Sequence, residues 1–187
     1  MQKRYILFNK PYGVLSQFTD EGTSHPTLKQ YINVPSVYAA GRLDRDSEGL
    51  LLLTDDGSLI KRLTDPTHHV EKTYWVMVEG DPTQEKLTQL EHGIQLKDYL
   101  TLPAHVRLIP KPNFPPRPKP VTPHGPTTWI EIKLREGKKR QIRHMTAAVG
   151  LPTLRLVRVA IGQIQLESLR IGEWRDLTPY EINLLKK

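Results

Sequence analysis

Hydrophobic and polar positions change over in short blocks along the chain, and the blocks predict short strands interleaved with short helices. Tyr5–Asn9 reads as a strand stopped by the turn residues Lys10-Pro11-Tyr12-Gly13. Pro26 opens a short helix through Ile32, with Ser24 or His25 just before it. Val37–Ala40 reads as a strand entering Gly41, and the apolar run Leu50–Thr54 as a strand buried on both faces. Asp55-Asp56-Gly57 then supplies carboxylates for the N-cap of a helix to about Leu63. Lys72–Glu79 alternates and is rich in β-branched and aromatic residues, as a strand should be. Asp81, Pro82 and Gln84 suit the N-cap, N1 and N3 positions of a helix to Glu91, with Gly93 as its stop. Further strands are expected at Ala104–Ile109 and Thr128–Leu134, a helix over Lys138–Val149 ending at Gly150, and one or two strands over Leu154–Gln165.

This alternation predicts an α+β protein on a mixed, mostly antiparallel sheet. Its length of 187 residues suits a single domain, or two small lobes sharing a core. Half of the sixteen prolines fall in Pro110–Pro126, with Lys111, Arg117 and Lys119 and no acid. Such a segment makes neither helix nor ladder and is expected as a long extended loop.

Charge narrows the partner. The chain carries +7, and residues 111–158 hold eleven Lys and Arg against two Glu. A cationic stretch that local points to a polyanion, nucleic acid first, with a solvated surface as the rival. The absence of cysteine removes disulfides, thiolate metal sites and cysteine nucleophiles. No apolar run reaches the ~18 residues of a membrane span, and the N-terminal residues have no signal-peptide pattern. A cytoplasmic protein off the membrane is therefore expected. The seven histidines show no ligand spacing, so no metal is expected.

The densest polar stretch is Gly41-Arg42-Leu43-Asp44-Arg45-Asp46-Ser47-Glu48-Gly49, ahead of the Leu50–Leu53 run and Thr54-Asp55-Asp56-Gly57. By composition its three acids leave open a metal cluster, a glycosidase-like pair of carboxylates or a polar loop. The order of residue types is more specific, because it resembles the signature of pseudouridine synthases, in particular the RsuA branch. Four more stretches resemble that family in order: Phe8–Val14, Glu71–Tyr74, Arg135–Met145 and Pro152–Gly162. The resemblance spans residues 4–178.

The resemblance implies the pseudouridine synthase catalytic fold, as one domain over 1–187 with two lobes divided near residue 75 and a central cleft. Members of that branch usually carry a small N-terminal RNA-binding domain of the S4 type; here the resemblance to the catalytic part begins at about residue 4, so none is expected. The resemblance implies isomerisation of one uridine in ribosomal RNA, the large subunit's by the compact form of the chain, with small-subunit RNA as the alternative. No cofactor is needed. The partner is ribosomal RNA, free or in an assembling subunit, and the protein is expected to act as a monomer. Asp44 matches the family's catalytic carboxylate, Arg143 the cation paired with it, and Tyr74 the active-site aromatic. Leu154 matches an apolar residue packed under the base. Arg42, Arg45, Lys138, Lys139, Arg140, Arg155 and Arg158 are expected to line a basic surface that takes phosphates. The rivals are a non-catalytic RNA-binding protein on the same fold and a glycosidase using Asp44 and Glu48. A central carboxylate amid cations disfavours the first, and the basic surface with only thirteen aromatics disfavours the second.

Overall fold

A computed structural model describes residues 2–187, which form an α+β fold. The chain divides into two compact units, one formed by residues 2–70 with Arg158–Lys187, the other by Glu71–Val157.

In the first unit, strand β1 (Tyr5–Lys10) pairs antiparallel with β3 (Glu48–Thr54), Tyr5 opposite Thr54 and Lys10 opposite Gly49. The short β2 (Tyr38–Ala39) pairs with the far end of β3. Every residue of β1 and β3 is buried, which is what a continuous apolar run requires. The two-residue period divides them between two cores. Tyr5, Leu7, Leu50 and Leu52 pack with Leu59 and Leu63 of helix α1 (Gly57–Thr64). Ile6, Phe8, Leu51 and Leu53 pack with Val14, Leu28, Ile32, Val37 and Leu43 from the loops. Asp56 caps α1 as expected, its carboxylate accepting from the Leu59 N–H at 3.2 Å. The helix expected from Pro26 is shorter than predicted. It is one 3₁₀ turn, Leu28–Gln30, capped by Thr27 in a reciprocal box with Gln30.

The second unit is built on β4 (Lys72–Glu79), β5 (His105–Ile109) and β6 (Thr127–Leu134). β6 lies between the other two and is antiparallel to both. Tyr74, Val76, Ile130, Ile132 and Val106 form one face, packed against α2 (Gln84–His92) and α3 (Gln141–Ala148) through Leu87, Leu90, Ile142 and Met145. Helix α2 is capped by Thr83 rather than Asp81. Helix α3 begins three residues later than predicted, because Arg140 takes a left-handed conformation at φ 53°. β7 (Thr153–Ile161) starts in this unit and ends in the first, where it turns into β8 (Ile164–Gln165).

Two elements of the first unit escaped the sequence pattern: β9 (Trp174–Asp176), which pairs with β1, and α4 (Pro179–Lys186). The signal for α4 is Thr178-Pro179-x-Glu181, a capping box with proline at N1. Among the described residues no helix is long and apolar enough to cross a membrane.

Glu181 fixes this end of the chain. It accepts from the Thr178 N–H at 2.9 Å and takes Arg175 through two contacts, at 2.7 and 2.9 Å. The Arg175 hydrogen bonds are the largest influence on its carboxyl and, against the opposing effect of burial, hold it at about 2, well below its ordinary 4.5. A carboxyl depressed by folding stabilises the fold above its unfolded pKa and loses that contribution as pH falls through the folded value. Glu181→Gln is therefore expected to destabilise the protein by about 1–2 kcal/mol at pH 7. The difference from wild type should shrink between pH 4.5 and 2, as measured by denaturant titration across that range.

Candidate active site

Asp44 sits exposed on the loop between β2 and β3, bracketed by Gly41 at φ 92° and Gly49 at φ 106°. Both angles lie in the left-handed region that favours glycine. Beneath Asp44 the loop is tied down at several points. Leu43 is buried in the core, its carbonyl accepting from the Ser16 hydroxyl at 2.6 Å and its N–H donating to the same oxygen at 3.1 Å. The Ser47 N–H donates to the Asp44 carbonyl at 3.0 Å, closing a tight turn.

Two buried cations complete the support. Lys10, at 0% exposure, donates its ammonium to the carbonyls of Val14 at 2.7 Å, Pro11 at 2.9 Å and Arg45 at 3.3 Å. One group thus joins the β1 turn to the residue after Asp44, and the Gly13 N–H meets the same Arg45 carbonyl at 2.7 Å. Burial lowers the Lys10 ammonium to about 7, while Glu48, Asp46 and Asp44 pull it upward. Arg158, at 2% exposure, donates Nε to the Leu50 carbonyl at 2.9 Å and Nη2 to the Gly41 carbonyl at 2.8 Å. Arg158 was expected on a phosphate-binding surface. Its burial and carbonyl partners make it instead a clamp across the two ends of the Asp44 loop. Arg42 and Arg45 are exposed, and Arg42 donates to the Gln17 side-chain oxygen.

The other predicted site residues lie in the second unit. Tyr74 is 9% exposed, in β4 opposite Ile132, so it belongs to the core there. Lys138 and Lys139 are exposed just before α3, Arg140 is half-buried at its N-cap, and Arg143 is half-buried in its first turn. Lys138 places its ammonium 4.3 Å from the centre of the Tyr99 ring. The segment before α3 is ordered by Gln141, whose side chain accepts from the Lys138 N–H at 3.2 Å and donates to Glu136 at 2.6 Å. Leu154 is half-buried. Arg155 is only 7% exposed, and its guanidinium lies 5.5 Å from the centre of the Phe114 ring. Its expected place on an open phosphate-binding surface does not hold: it is packed against an aromatic.

Sequence reasoning missed Lys10, Ser16 and Phe114. A lysine closing a strand buried on both faces was the available signal for the first, since such a position leaves an ammonium nowhere to go but to backbone carbonyls. Among the described residues, no group of three or more His, Asp or Glu is placed to hold a metal ion.

The arrangement in the first unit presents the exposed Asp44 carboxylate on a loop whose backbone is held from below, with the exposed Arg42 and Arg45 on the same loop. Comparison with known proteins gives the family. The family model of RNA pseudouridylate synthases matches residues 4–148. A ribosomal large subunit pseudouridine synthase E of Xanthomonas campestris is 57% identical over 174 residues, covering 91% of this chain and 93% of that protein. Its namesake in Vibrio vulnificus is 52% identical over 179 residues, 95% of this chain and 76% of that protein. A crystal structure of a pseudouridylate synthase superposes with a TM-score of 0.84 at 33% identity, over 98% of this chain and 74% of that one. On these grounds the chain belongs to the RNA pseudouridylate synthase family.

Proposed function

We propose that this protein converts one uridine of large-subunit ribosomal RNA to pseudouridine, with Asp44 as its catalytic carboxylate. The observation that carries the reading is the Asp44 loop itself, an exposed acid on a backbone held by buried Lys10 and Arg158, in a chain of this family. The target RNA follows from the relatives, which are named for the large ribosomal subunit.

The reaction breaks the C1′–N1 bond of the uridine, turns the uracil and joins C5 to C1′; C5 gives up its proton and N1, freed from the sugar, takes one up. Atoms and electrons balance within the nucleotide, so no cofactor or second substrate enters. A carboxylate serves such a reaction either as the nucleophile that holds the sugar or base between bond breaking and bond making, or as the base that takes a sugar proton. Either role needs Asp44 ionised and aimed, and Arg143 is the cation assigned to it. Tyr74 is the aromatic assigned to the uracil once it leaves its stack, and Leu154 the apolar residue beneath it. Arg42, Arg45, Lys138, Lys139 and Arg140 supply phosphate contacts, which give affinity and register rather than sequence. The protein acts as a monomer in the cytoplasm, on free RNA or on the assembling subunit.

Asp44→Asn is expected to abolish pseudouridine formation, by at least about 10³-fold in single-turnover rate, while RNA affinity stays within about threefold of wild type. Mapping pseudouridine in ribosomal RNA from cells carrying either allele checks the activity, and filter binding checks the affinity. Substantial residual activity would remove Asp44 from the chemistry.

Lys10→Met leaves the Pro11, Val14 and Arg45 carbonyls without their donor, at an expected cost of about 2–3 kcal/mol at pH 7. The sign of its pH dependence follows from the lowered ammonium. Above about 7 the folded protein releases this proton while the unfolded chain holds it up to its ordinary 10.5. Wild type therefore gains stability over the variant as pH rises through that window, by up to about 1.4 kcal/mol per pH unit. Paired denaturation curves at pH 7, 8 and 9 test this, and a constant difference would contradict it.

A further inference from the structure

The proline-rich segment 110–126 takes no part in the chemistry just described, yet the second unit holds it firmly. It connects β5 to β6 and crosses the face of their sheet opposite α2 and α3. Phe114 packs there between two indoles, its ring centre 5.7 Å from that of Trp75 and 5.8 Å from that of Trp129. Arg155 stacks on the same ring. The slot is itself rigid, because the Trp75 indole N–H donates to buried Glu131 at 3.0 Å and Arg107 grips the same carboxylate at 2.9 and 3.2 Å. Farther along, Arg117 donates to the Leu154 carbonyl at 3.2 Å and to the Lys119 carbonyl at 3.0 Å. The segment closes with the His124 N–H on the Glu79 carboxylate and the Gly80 N–H on the Pro126 carbonyl at 2.9 Å.

Covering the two indoles accounts for Phe114 and the prolines. It does not account for the charges. Lys111 and Lys119 are exposed, and the strap holds no acid to neutralise them. At its root lies a groove of about 250 Å³ lined by Met77, Ile109, Trp129, Thr127, Thr128 and Lys111. Its lining is apolar with two threonines and one ammonium, which is the chemistry of an unpaired nucleotide: an apolar surface for the base, hydroxyls for its edge and a cation for its phosphate.

We propose that residues 110–126 are a preformed RNA-binding arm that takes the single-stranded backbone flanking the target uridine, with one base in the groove at its root. This deepens the function proposed above and rests on it. Eight prolines and three anchoring points fix the arm before RNA arrives, so little ordering entropy is lost on binding. Through Arg117 and Phe114 the arm also bears on Leu154 and Arg155, which ties the flanking strand to the residue assigned beneath the base.

The test uses the full chain and a single-stranded oligouridylate, with pseudouridine formation in ribosomal RNA assayed in parallel. The double variant K111A/K119A is expected to flatten the slope of log affinity against log salt by about 1.4, two single-strand phosphate contacts, and to weaken binding about tenfold at physiological salt. Phe114→Ala, which frees the arm, is expected to weaken binding as well, with Phe114→Leu recovering part of the loss. An unaltered salt slope in the double variant overturns the proposal. So does a Phe114→Ala protein that melts earlier but binds as wild type, since the strap would then be a cover alone. If wild type makes no pseudouridine, the functional reading fails and takes the arm with it. If wild type is active and the slope is unaltered, the arm alone fails.

Discussion

The first unit depends on two cations that water does not reach. Lys10 and Arg158 spend their donors on five backbone carbonyls: those of Pro11, Val14 and Arg45 for the lysine, and Leu50 and Gly41 for the arginine. A polar loop at the end of a buried strand leaves carbonyls that no ladder satisfies, and each would be costly if left unpaired. Neutral side chains lack the reach and the number of donors to satisfy so many at once. Meeting them with cations makes the loop backbone rigid and sets positive charge beneath the acid it carries. The Glu48, Asp46 and Asp44 carboxylates are the return side of that arrangement, since their charges favour the buried ammonium. Support and electrostatics are therefore one structure: the group that holds the Asp44 loop in place also sees the charge of Asp44.

That dual use separates two kinds of basic residue which a charge count treats alike. Arg42, Arg45, Lys138 and Lys139 keep their cations exposed, where phosphate can reach them. Arg155 and Arg158 come from one strand, three residues apart, and an odd spacing sends neighbouring side chains to opposite sides of a strand. One finds an aromatic ring and the other finds carbonyls, and both are buried. Much of the +9 that marks residues 111–158 is thus available to a polyanion, but not all of it.

The same distinction explains what could be read from the sequence and what could not. Strands such as Lys72–Glu79 were legible to the residue, because alternation and β-branching act locally. The cap of α1 was legible to within one residue, as Asp55 or Asp56. The start of α3 was not, because it depends on Arg140 adopting φ 53°, a choice made by the surrounding chain that no propensity of arginine anticipates. β9 was missed for another reason: three residues cannot show a period, and its pairing with β1 joins positions some 170 residues apart. In the candidate site, Asp44, Tyr74 and Arg143 were picked out by the order of residue types around them. Lys10 stands inside one of the same motifs and was overlooked, because a cation is judged by the solvent it is assumed to meet, and only the fold shows that it meets none.

The proline-rich strap follows the reverse logic. Its composition excludes ladder and helix, so from sequence it reads as a segment without a fixed place. Foremost among its three anchors is Phe114, in a slot whose walls, Trp75 and Trp129, come from two paired strands. Trp75 is itself held by Glu131. Burial raises that carboxyl, but the Arg107 and Trp75 hydrogen bonds more than offset this and keep it below its ordinary value. A buried acid kept ionised in this way fixes the indole and the indole fixes the phenyl ring; with Arg117 and the His124 closure, the ring fixes seventeen residues that have no secondary structure of their own. Order here is borrowed from the sheet through side chains, and a segment ordered in this manner can spend Arg117 on carbonyls and still keep Lys111 and Lys119 turned to solvent.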